Sequence, residues 1–145
     1  MSVRVVLAGV PGMYRSASSR LGALEGWRVL AVAATCLALA TLRAGGRPRV
    51  QNALRHFAFS AWLAARYDAP IASAITDQHE RHSRQPLDSA ADQRNNEVGR
   101  HHGLRHPETS AGTPVAIWRL LRVGHDEWRA GRLWAVRHGA VVASA

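Results

Sequence analysis

Apolar residues recur at helical spacing through the middle of the chain. Between residues 50 and 66 they fall three and four positions apart, which puts them on one face of a helix. Asp68 and Pro70 then interrupt the pattern. The sequence therefore predicts a helix over 50–66, with an apolar face made of Leu54, Phe57, Ala58, Ala61, Trp62 and Ala65.

Four further helices are predicted from spacing and from residues that start or stop helices. Asp88 is expected to cap the start of one of them, and Gly103 is expected to close it. Thr113 followed by Pro114 is the usual start of another helix. These four helices are expected over residues 20–43, 71–82, 88–102 and 114–122.

The whole chain is predicted to be one compact all-α domain. Its 145 residues can bury one core but not two. Residues 1–19 are rich in glycine, proline and serine, so an irregular lead-in is expected there. Residues 20–145 then form a single domain of about five helices, with its functional core at 50–106. The tail over 127–142 is expected to hold a helical turn and a short strand at 132–137, alone or in a hairpin.

The most apolar stretch runs from Trp27 to Leu42 and is interrupted only by Arg28. It ends before Gly45 and Gly46, a common stop for a helix. At about sixteen residues it is shorter than the roughly 20 that cross a bilayer. A buried core helix is therefore expected instead of a transmembrane span. Weak association with a membrane surface is the alternative.

A single cysteine, Cys36, bears on the compartment of the protein. One cysteine cannot form an internal disulfide, which is usual for a reducing environment. The first residues also lack the long apolar segment and cleavage site of a signal peptide. Cys36 has no histidine or acid within helical reach, so it is expected to be a small buried apolar residue. We expect a cytoplasmic protein.

The formal charge of +9 raises the question of a nucleic-acid partner. All nineteen basic residues are arginine, a bias typical of GC-rich genomes that raises the charge without selecting a partner. The charge is also uneven, at +6 over residues 1–50, zero over 51–110 and +3 over 111–145. Because the middle of the chain is neutral, nucleic acid is an alternative partner and not the favoured one.

The helix over 88–102 is unusual because its helical stripe is polar. Asp92, Asn95, Asn96, Gly99 and Arg100 follow the i, i+3, i+4, i+7 and i+8 spacing that normally packs on a core. A buried polar group without a partner costs a few kcal/mol, about 1 to 3. The stripe therefore either lies at the surface or meets polar partners on another helix.

The helix over 50–66 offers such partners, because Asn52, Arg55 and His56 form a polar seam near its start. The pair His79 and Glu80 adds an imidazole and a carboxylate near the end of the next helix. Imidazoles and carboxylates together suit acid–base catalysis, while arginines and amides suit a polar or anionic substrate. The expected catalytic residues are His56, His79, Glu80 and Asp92, and the expected substrate-binding residues are Asn52, Arg55, Asn95, Asn96 and Arg100.

A metal site is the alternative for the same cluster. The histidines at positions 79 and 82 are three apart, so the H-E-x-x-H zinc motif is absent. His56, His79 and Asp92 could still supply two imidazoles and one carboxylate to a divalent metal. There is no phosphate loop or dinucleotide fingerprint. We expect no cofactor, with a divalent metal as the alternative.

The order of these motifs resembles an uncharacterised bacterial domain of unknown function, found as stand-alone proteins and in larger toxin-like or cell-surface polypeptides. The resemblance covers about residues 50–137 and implies that the nine site residues are signature positions of that family. It implies no reaction. Members often carry an aromatic pair after R-H, where this chain has Phe57 and Ala58. The motifs are N-A-x-R-H at 52–56, H-E at 79–80, D-x-x-N-N-x-x-G-R at 92–100 and W-x-x-G-x-L-W at 128–134.

The expected function is therefore that of a small cofactor-independent enzyme. It would use histidine and carboxylate acid–base chemistry on a small-molecule or peptide substrate, as a hydrolase, an isomerase, or a cyclase or lyase of a biosynthetic pathway. One alternative is a toxin-type nuclease or nucleic-acid-binding protein. Another is a non-enzymatic interaction module with a structural polar cluster. The sequence leaves the oligomeric state open.

Overall fold

The computed structural model describes residues 3–80 and 85–144, with side chains for 10–77 and 85–144. Within these residues it confirms the all-α prediction, with six helices and a short antiparallel hairpin. A 3₁₀ turn, Pro107–Ala111, connects the fifth and sixth helices. The elements are α1 (Val3–Leu21), α2 (Ala23–Ala44), α3 (Pro48–Arg66), α4 (Ala69–Glu80), α5 (Pro86–Arg105), α6 (Pro114–Arg129), β1 (Trp134–Arg137) and β2 (Ala140–Ala143).

Helix α3 is the centre of the core and packs against α2, α4, α5 and α6. Pro48 occupies its first turn, where a missing N–H costs nothing, and the Tyr67 N–H closes its end on the Leu63 carbonyl. The largest buried side chains of α3, all without solvent exposure, are Leu54, Phe57, Trp62 and Leu63. Because α3 is buried on nearly every side, any polar group on it must find a partner inside the protein.

Helices α3 and α5 approach each other unusually closely at two glycines of α5. A Cβ atom on Gly99 would lie 2.3 Å from the Phe57 carbonyl oxygen, and one on Gly103 would lie 2.0 Å from the Ala61 carbonyl oxygen. Backbone oxygens cannot move aside, so glycine is needed at both positions. This close approach brings the polar stripe of α5 against the polar seam of α3.

The prediction of an irregular lead-in over residues 1–19 is wrong. Residues from Val3 onwards form α1, which packs against α2 and α4. Met13 and Ala17 are buried there, and Ser16 Oγ donates to the Ala74 carbonyl at 3.3 Å. Packing overrides the poor helix propensity of the glycines and of Pro11, because most helical stability in proteins comes from tertiary contacts.

Three helix ends also differ from the prediction. Asp88 does not cap α5, which begins at Pro86 after Gln85, and it lies in the first turn. Gly103 does not end α5, because it packs on α3 and the helix continues to Arg105. Helix α6 runs to Arg129, past the expected end at residue 122, since its apolar face continues beyond that residue.

Other start and stop predictions are confirmed. Thr113 Oγ1 accepts a hydrogen bond from the Ala116 N–H at 3.3 Å and caps α6. Gly45 adopts the left-handed conformation that ends α2. The short C-terminal strand belongs to a hairpin in which Trp134 pairs with Ala143. The predicted end of the third helix at residue 82 lies outside the described residues, which follow α4 to Glu80.

Helix α2 is a core helix on one face only. Val29, Cys36 and Ala40 are buried on the inner face, as expected for Cys36, and burial raises the pKa of its thiol. Leu24 and Leu42 on the outer face are exposed. By length and composition alone α2 could cross a membrane, with a mean hydropathy of 1.5 over its most apolar window, of which 28% is buried in the protein.

Candidate functional site

The candidate site lies between α3 and α5. Asn52, His56 and Ser60 follow one another every four residues along α3, so they share one side of that helix. Asp92 and Asn96 have the same spacing on α5, and they face this row. We call the connected set the His56 network, and its members are Asn52, Arg55, His56, Ser60, Asp92 and Asn96.

Asn96 anchors the imidazole of His56 from one side. His56 Nδ1 and Asn96 Oδ1 are 3.1 Å apart, and Ser60 Oγ donates to the same oxygen at 2.8 Å. A carbonyl oxygen can only accept a hydrogen bond, so Nδ1 of His56 carries a proton in this contact. The second ring nitrogen, Nε2, is therefore the one that can gain or lose a proton.

Nε2 of His56 faces an anion and a cation at the same time. Asp92 Oδ2 lies 3.2 Å from it, and Arg55 Nη2 lies 3.1 Å from it. A protonated Nε2 donates to Asp92 but repels Arg55, whereas a bare Nε2 accepts from Arg55 but repels Asp92. The proton on Nε2 therefore decides which of these two side chains His56 bonds.

The neighbours of Asp92 favour its charged form. Asn52 donates a side-chain hydrogen bond to Asp92 Oδ1, and Arg55 Nε donates to Asn52 Oδ1 at 3.1 Å. Burial raises the pKa of Asp92, but the charge and hydrogen bond of His56, the charge of Arg55 and the amide of Asn52 outweigh burial. The pKa of Asp92 therefore lies below its usual value. A charged carboxylate at this position orients His56 and stabilises its cation.

The network is buried at one end and reaches solvent at the other. Asn96 is 1% exposed, Asp92 7% and His56 8%. Asn52 and Arg55 are half-buried. Electrostatic contacts gain strength where water is excluded, so the buried end holds the geometry. The side of Asn52 and Arg55 is where a small polar molecule could reach the network.

One polar atom of the network has no hydrogen-bond partner among the described residues. Nδ2 of Asn96 is buried and unpaired. Leaving a buried amide donor unpaired costs about 1–3 kcal/mol, and native proteins show few such groups. Buried polar groups without a hydrogen-bond partner are more common at functional sites than elsewhere in proteins.

Two of the expected substrate-binding residues form hydrogen bonds outside the His56 network. The Asn95 amide pairs with the Trp134 backbone in both directions, at 2.9 Å to the carbonyl and 2.8 Å from the N–H. Arg100 Nη1 donates to Thr76 Oγ1 on α4 at 3.4 Å. Asn95 therefore fixes the hairpin to α5, and Arg100 connects α5 to α4. Neither contact involves His56.

The structure describes the backbone of His79 and Glu80, which lie in α4, but not their side chains. Their expected catalytic roles stay predictions. The predicted metal site of His56, His79 and Asp92 also stays a prediction. Of these three side chains, the structure describes His56 and Asp92, which are neighbours. Among the side chains that are described, no three histidines, cysteines or carboxylates are placed to share a metal ion.

Sequence reasoning missed Ser60, which completes the anchor of His56. The signal was present, because Ser60 lies four residues after His56 and eight after Asn52 on the same stripe. The predicted polar seam on α3 stopped at His56 and did not extend to this next turn. The two glycines of α5 were not recognised as the residues that allow the two stripes to meet.

A broad open groove of about 690 Å³ lies on the opposite side of α5 from Asp92 and Asn96. Arg94 stacks over the Trp134 ring at 4.1 Å, and Glu97 and Glu127 offset part of the positive charge. The groove is separate from the His56 network. Its lining residues are Arg94, Glu97, Val98, His101, Arg105, Glu127, Arg132 and Trp134.

Comparison with known proteins identifies a family but no activity. No curated protein and no solved structure is detectably similar to the chain. The family model described as "Domain of unknown function (DUF6973)" matches residues 22–121, a range that spans α2 to the first half of α6 and includes the whole His56 network. Because the match covers more than half of the sequence, the chain belongs to this domain family of unknown function.

Proposed function

We propose that the chain is a small enzyme that uses His56 for acid–base chemistry on an anionic substrate. In this proposal Asp92 orients His56 and stabilises its cation. Arg55 and Asn52, at the half-buried end of the network, bind the substrate. Asn96 and Ser60 hold the imidazole in place from the buried side.

The observation that carries the proposal is the position of Nε2 of His56 between Asp92 and Arg55. A purely structural lock would pair each donor with one acceptor. Of these two contacts among the described residues, one is unfavourable in either protonation state of His56, which favours a side chain that exchanges its proton. An anion that draws Arg55 away from Nε2 would favour protonation of His56, which couples substrate binding to proton uptake.

These residues suit hydrolysis as well as proton transfer such as isomerisation, elimination or cyclisation. All of these need a group that accepts and returns a proton near a bound anion. The groove on the far side of α5 is not required. Its mixture of arginines with Glu97 and Glu127 makes it a poor candidate for the phosphates of nucleic acid.

Anion binding observed through His56 tests the proposal. Inorganic phosphate and acetate are titrated into the protein while the imidazole nitrogens of His56 are followed by NMR. We expect either anion to increase the proton occupancy of Nε2 in the wild-type protein and to have no such effect in Arg55→Gln. Exposed Arg122→Gln, on α6, is the matched control that should respond like the wild type.

Two results would contradict the proposal. If His56 does not respond to either anion, the network is a structural element and the interaction-module alternative is favoured. If His56 responds only to a short RNA or DNA, with a steep dependence on salt concentration, the nuclease alternative is favoured. A melting curve for each variant shows whether a lost response reflects unfolding.

A further inference from the structure

The outer face of α2 is an apolar surface that is largely exposed, with the Tyr14 ring against Trp27 at one end. Leu24 is 78% exposed, Trp27 64% and Leu42 72%. Three exposed alanines lie between Trp27 and Leu42, and they follow Trp27 at intervals of four, three and four residues. Together these residues occupy about 80° of the helix circumference. We call this surface the α2 outer face, and it comprises Leu24, Trp27, Ala31, Ala34, Ala38 and Leu42.

The opposite side of α2 is fixed in the protein. Val29 and Ala40 have no solvent exposure, and Cys36 has 1%. Helix α2 packs there against α1, α3 and α6. Crossing a bilayer would require these contacts to break, so the helix can offer only its outer face to a partner.

Positive charge lies at both ends of this face. Arg28 is exposed near its start, Arg47 and Arg49 are exposed just after α2 ends, and exposed Arg15 follows Tyr14, whose ring contacts Trp27 at 5.0 Å. Arg28 is paired with Glu25 at one edge of the face. Residues 1–50 carry a net charge of +6, the largest excess in the chain. An apolar face bounded by arginines, with a tryptophan at one end, is typical of helices that lie in a membrane interface.

The charge distinguishes between two occupants of the face. A second copy of the chain would bring another segment of net charge +6 against the first, and like charges oppose that contact. Anionic lipid headgroups would instead be attracted to the arginines, while acyl chains receive the apolar side chains. Charge complementarity therefore favours an anionic membrane surface.

We propose that the chain docks on anionic membranes through the α2 outer face, with α2 lying in the plane of the interface. The distance along the helix from Leu24 to Leu42 is about 27 Å at 1.5 Å per residue. Side chains of this kind enter the headgroup region to a depth of about 5–10 Å. This docking is independent of the His56 network and places no demand on its chemistry.

Sedimentation of the full chain with lipid vesicles tests the proposal. Vesicles of phosphatidylcholine alone are compared with an equimolar mixture of phosphatidylcholine and phosphatidylglycerol. We expect binding to the mixture only, with release at about 1 M salt, where charges are screened beyond about 3 Å. The double variant Leu24→Gln, Leu42→Gln should bind about tenfold more weakly or worse, because it loses two inserting side chains.

Controls separate docking from general hydrophobicity and from folding. Leu104 is 52% exposed on α5 and Val115 is 63% exposed on α6, so the double variant Leu104→Gln, Val115→Gln should bind like the wild type. A second test variant, Arg15→Gln with Arg49→Gln, should also weaken binding. All the substituted residues are exposed, and unchanged melting curves would show that folding is preserved.

Several outcomes would overturn the proposal. One is equal binding to vesicles with and without phosphatidylglycerol. Another is binding that resists high salt, or that the Leu24 and Leu42 substitutions leave unchanged. A concentration-dependent dimer without vesicle binding, lost in Leu24→Gln, Leu42→Gln, would assign the face to a second copy of the chain instead.

Discussion

Asp92 is the residue on which the His56 network most depends, because it is the described carboxylate beside both His56 and Arg55. It accepts from Asn52 and faces Nε2 of His56 at 3.2 Å, at a position that is 7% exposed. Removing one partner from a buried ion pair leaves the other charge uncompensated. That loss is usually larger than the net contribution of the intact pair.

The variant Asp92→Asn should therefore lower the free energy of unfolding by about 3 kcal/mol near neutral pH. Urea denaturation measures this value. Glu97→Gln, on the exposed side of the same helix, is the matched control and should change it by less than about 0.5 kcal/mol. Similar losses in the two variants would show that Asp92 does not stabilise the contacts with His56 and Arg55.

The effect of Asp92 should depend on pH in a defined direction. Because the folded-state pKa of Asp92 is lowered, its contribution is present above the unfolded value of 3.8 and is lost as the pH falls through the lower folded pKa. The difference in unfolding free energy between wild type and Asp92→Asn should therefore be largest near neutral pH and shrink below about pH 4. A difference that grows in acid would contradict the assigned direction.

At the scale of helices, the contact between α3 and α5 depends on glycine. Gly99→Ala and Gly103→Ala place a Cβ against backbone oxygens, so each should cost about 3 kcal/mol or more and separate the two polar stripes. Gly124→Ala on α6 would meet the Phe57 ring at 2.8 Å, and a side chain can adjust, so its cost should be smaller. Thermal melting ranks the three variants. Equal losses of stability in the three variants would mean that α3 and α5 separate easily.

The hairpin is held to α5 by Asn95, which gives that residue a role different from its neighbour Asn96. Asn95→Ala would leave two backbone groups of Trp134 unpaired, at a cost of about 2 kcal/mol. The response of His56 to phosphate should nevertheless stay, because Asn95 does not touch the imidazole. Asn96→Ala should abolish that response, since it removes the side chain that accepts from Nδ1 and orients the imidazole of His56. Equal effects of both variants on His56 would contradict this separation.

Helical spacing predicted which site residues share a helix face better than it predicted where two such faces meet. It placed Asn52 and His56 on one stripe and Asp92 and Asn96 on another, and the structure joins these stripes. The spacing also assigned Arg100 to the same site, but Arg100 lies about 12 Å further along α5 than Asp92 at 1.5 Å per residue. Periodicity gives the face of a helix, whereas the position along the axis at which a second helix crosses depends on tertiary packing.

Helix α1 was missed for a related reason. Local signals from Pro11 and the nearby glycines oppose a helix, and the packing of α1 on α2 and α4, which buries residues such as Met13, outweighs them. Such contacts join segments distant in sequence. The exposed outer face of α2 was missed because the same apolar composition describes a core helix and a surface-seeking one.

For the molecule as a whole, α1 should be separable from the part that contains the site. It lies before the range 22–121 that matches the family, and its described residues form no hydrogen bond with the His56 network. Helices α1 and α2 approach closely at Gly26 of α2, since a Cβ there would lie 3.0 Å from Ser18 Cβ and from the Tyr14 ring. Gly26→Leu should therefore push α1 away from α2.

In Gly26→Leu we expect a loss of about 1–3 kcal/mol in the free energy of unfolding, the usual cost of overpacking. Hydrogen exchange should become fast in α1 while α3 and α5 stay protected, because regions with few shared contacts open independently. The imidazole signals of His56 and their response to phosphate should not change. If exchange rises equally in α1, α3 and α5, or if the His56 response disappears, α1 and the site belong to one cooperative unit. In that case the family range 22–121 would not describe a unit of stability in this chain.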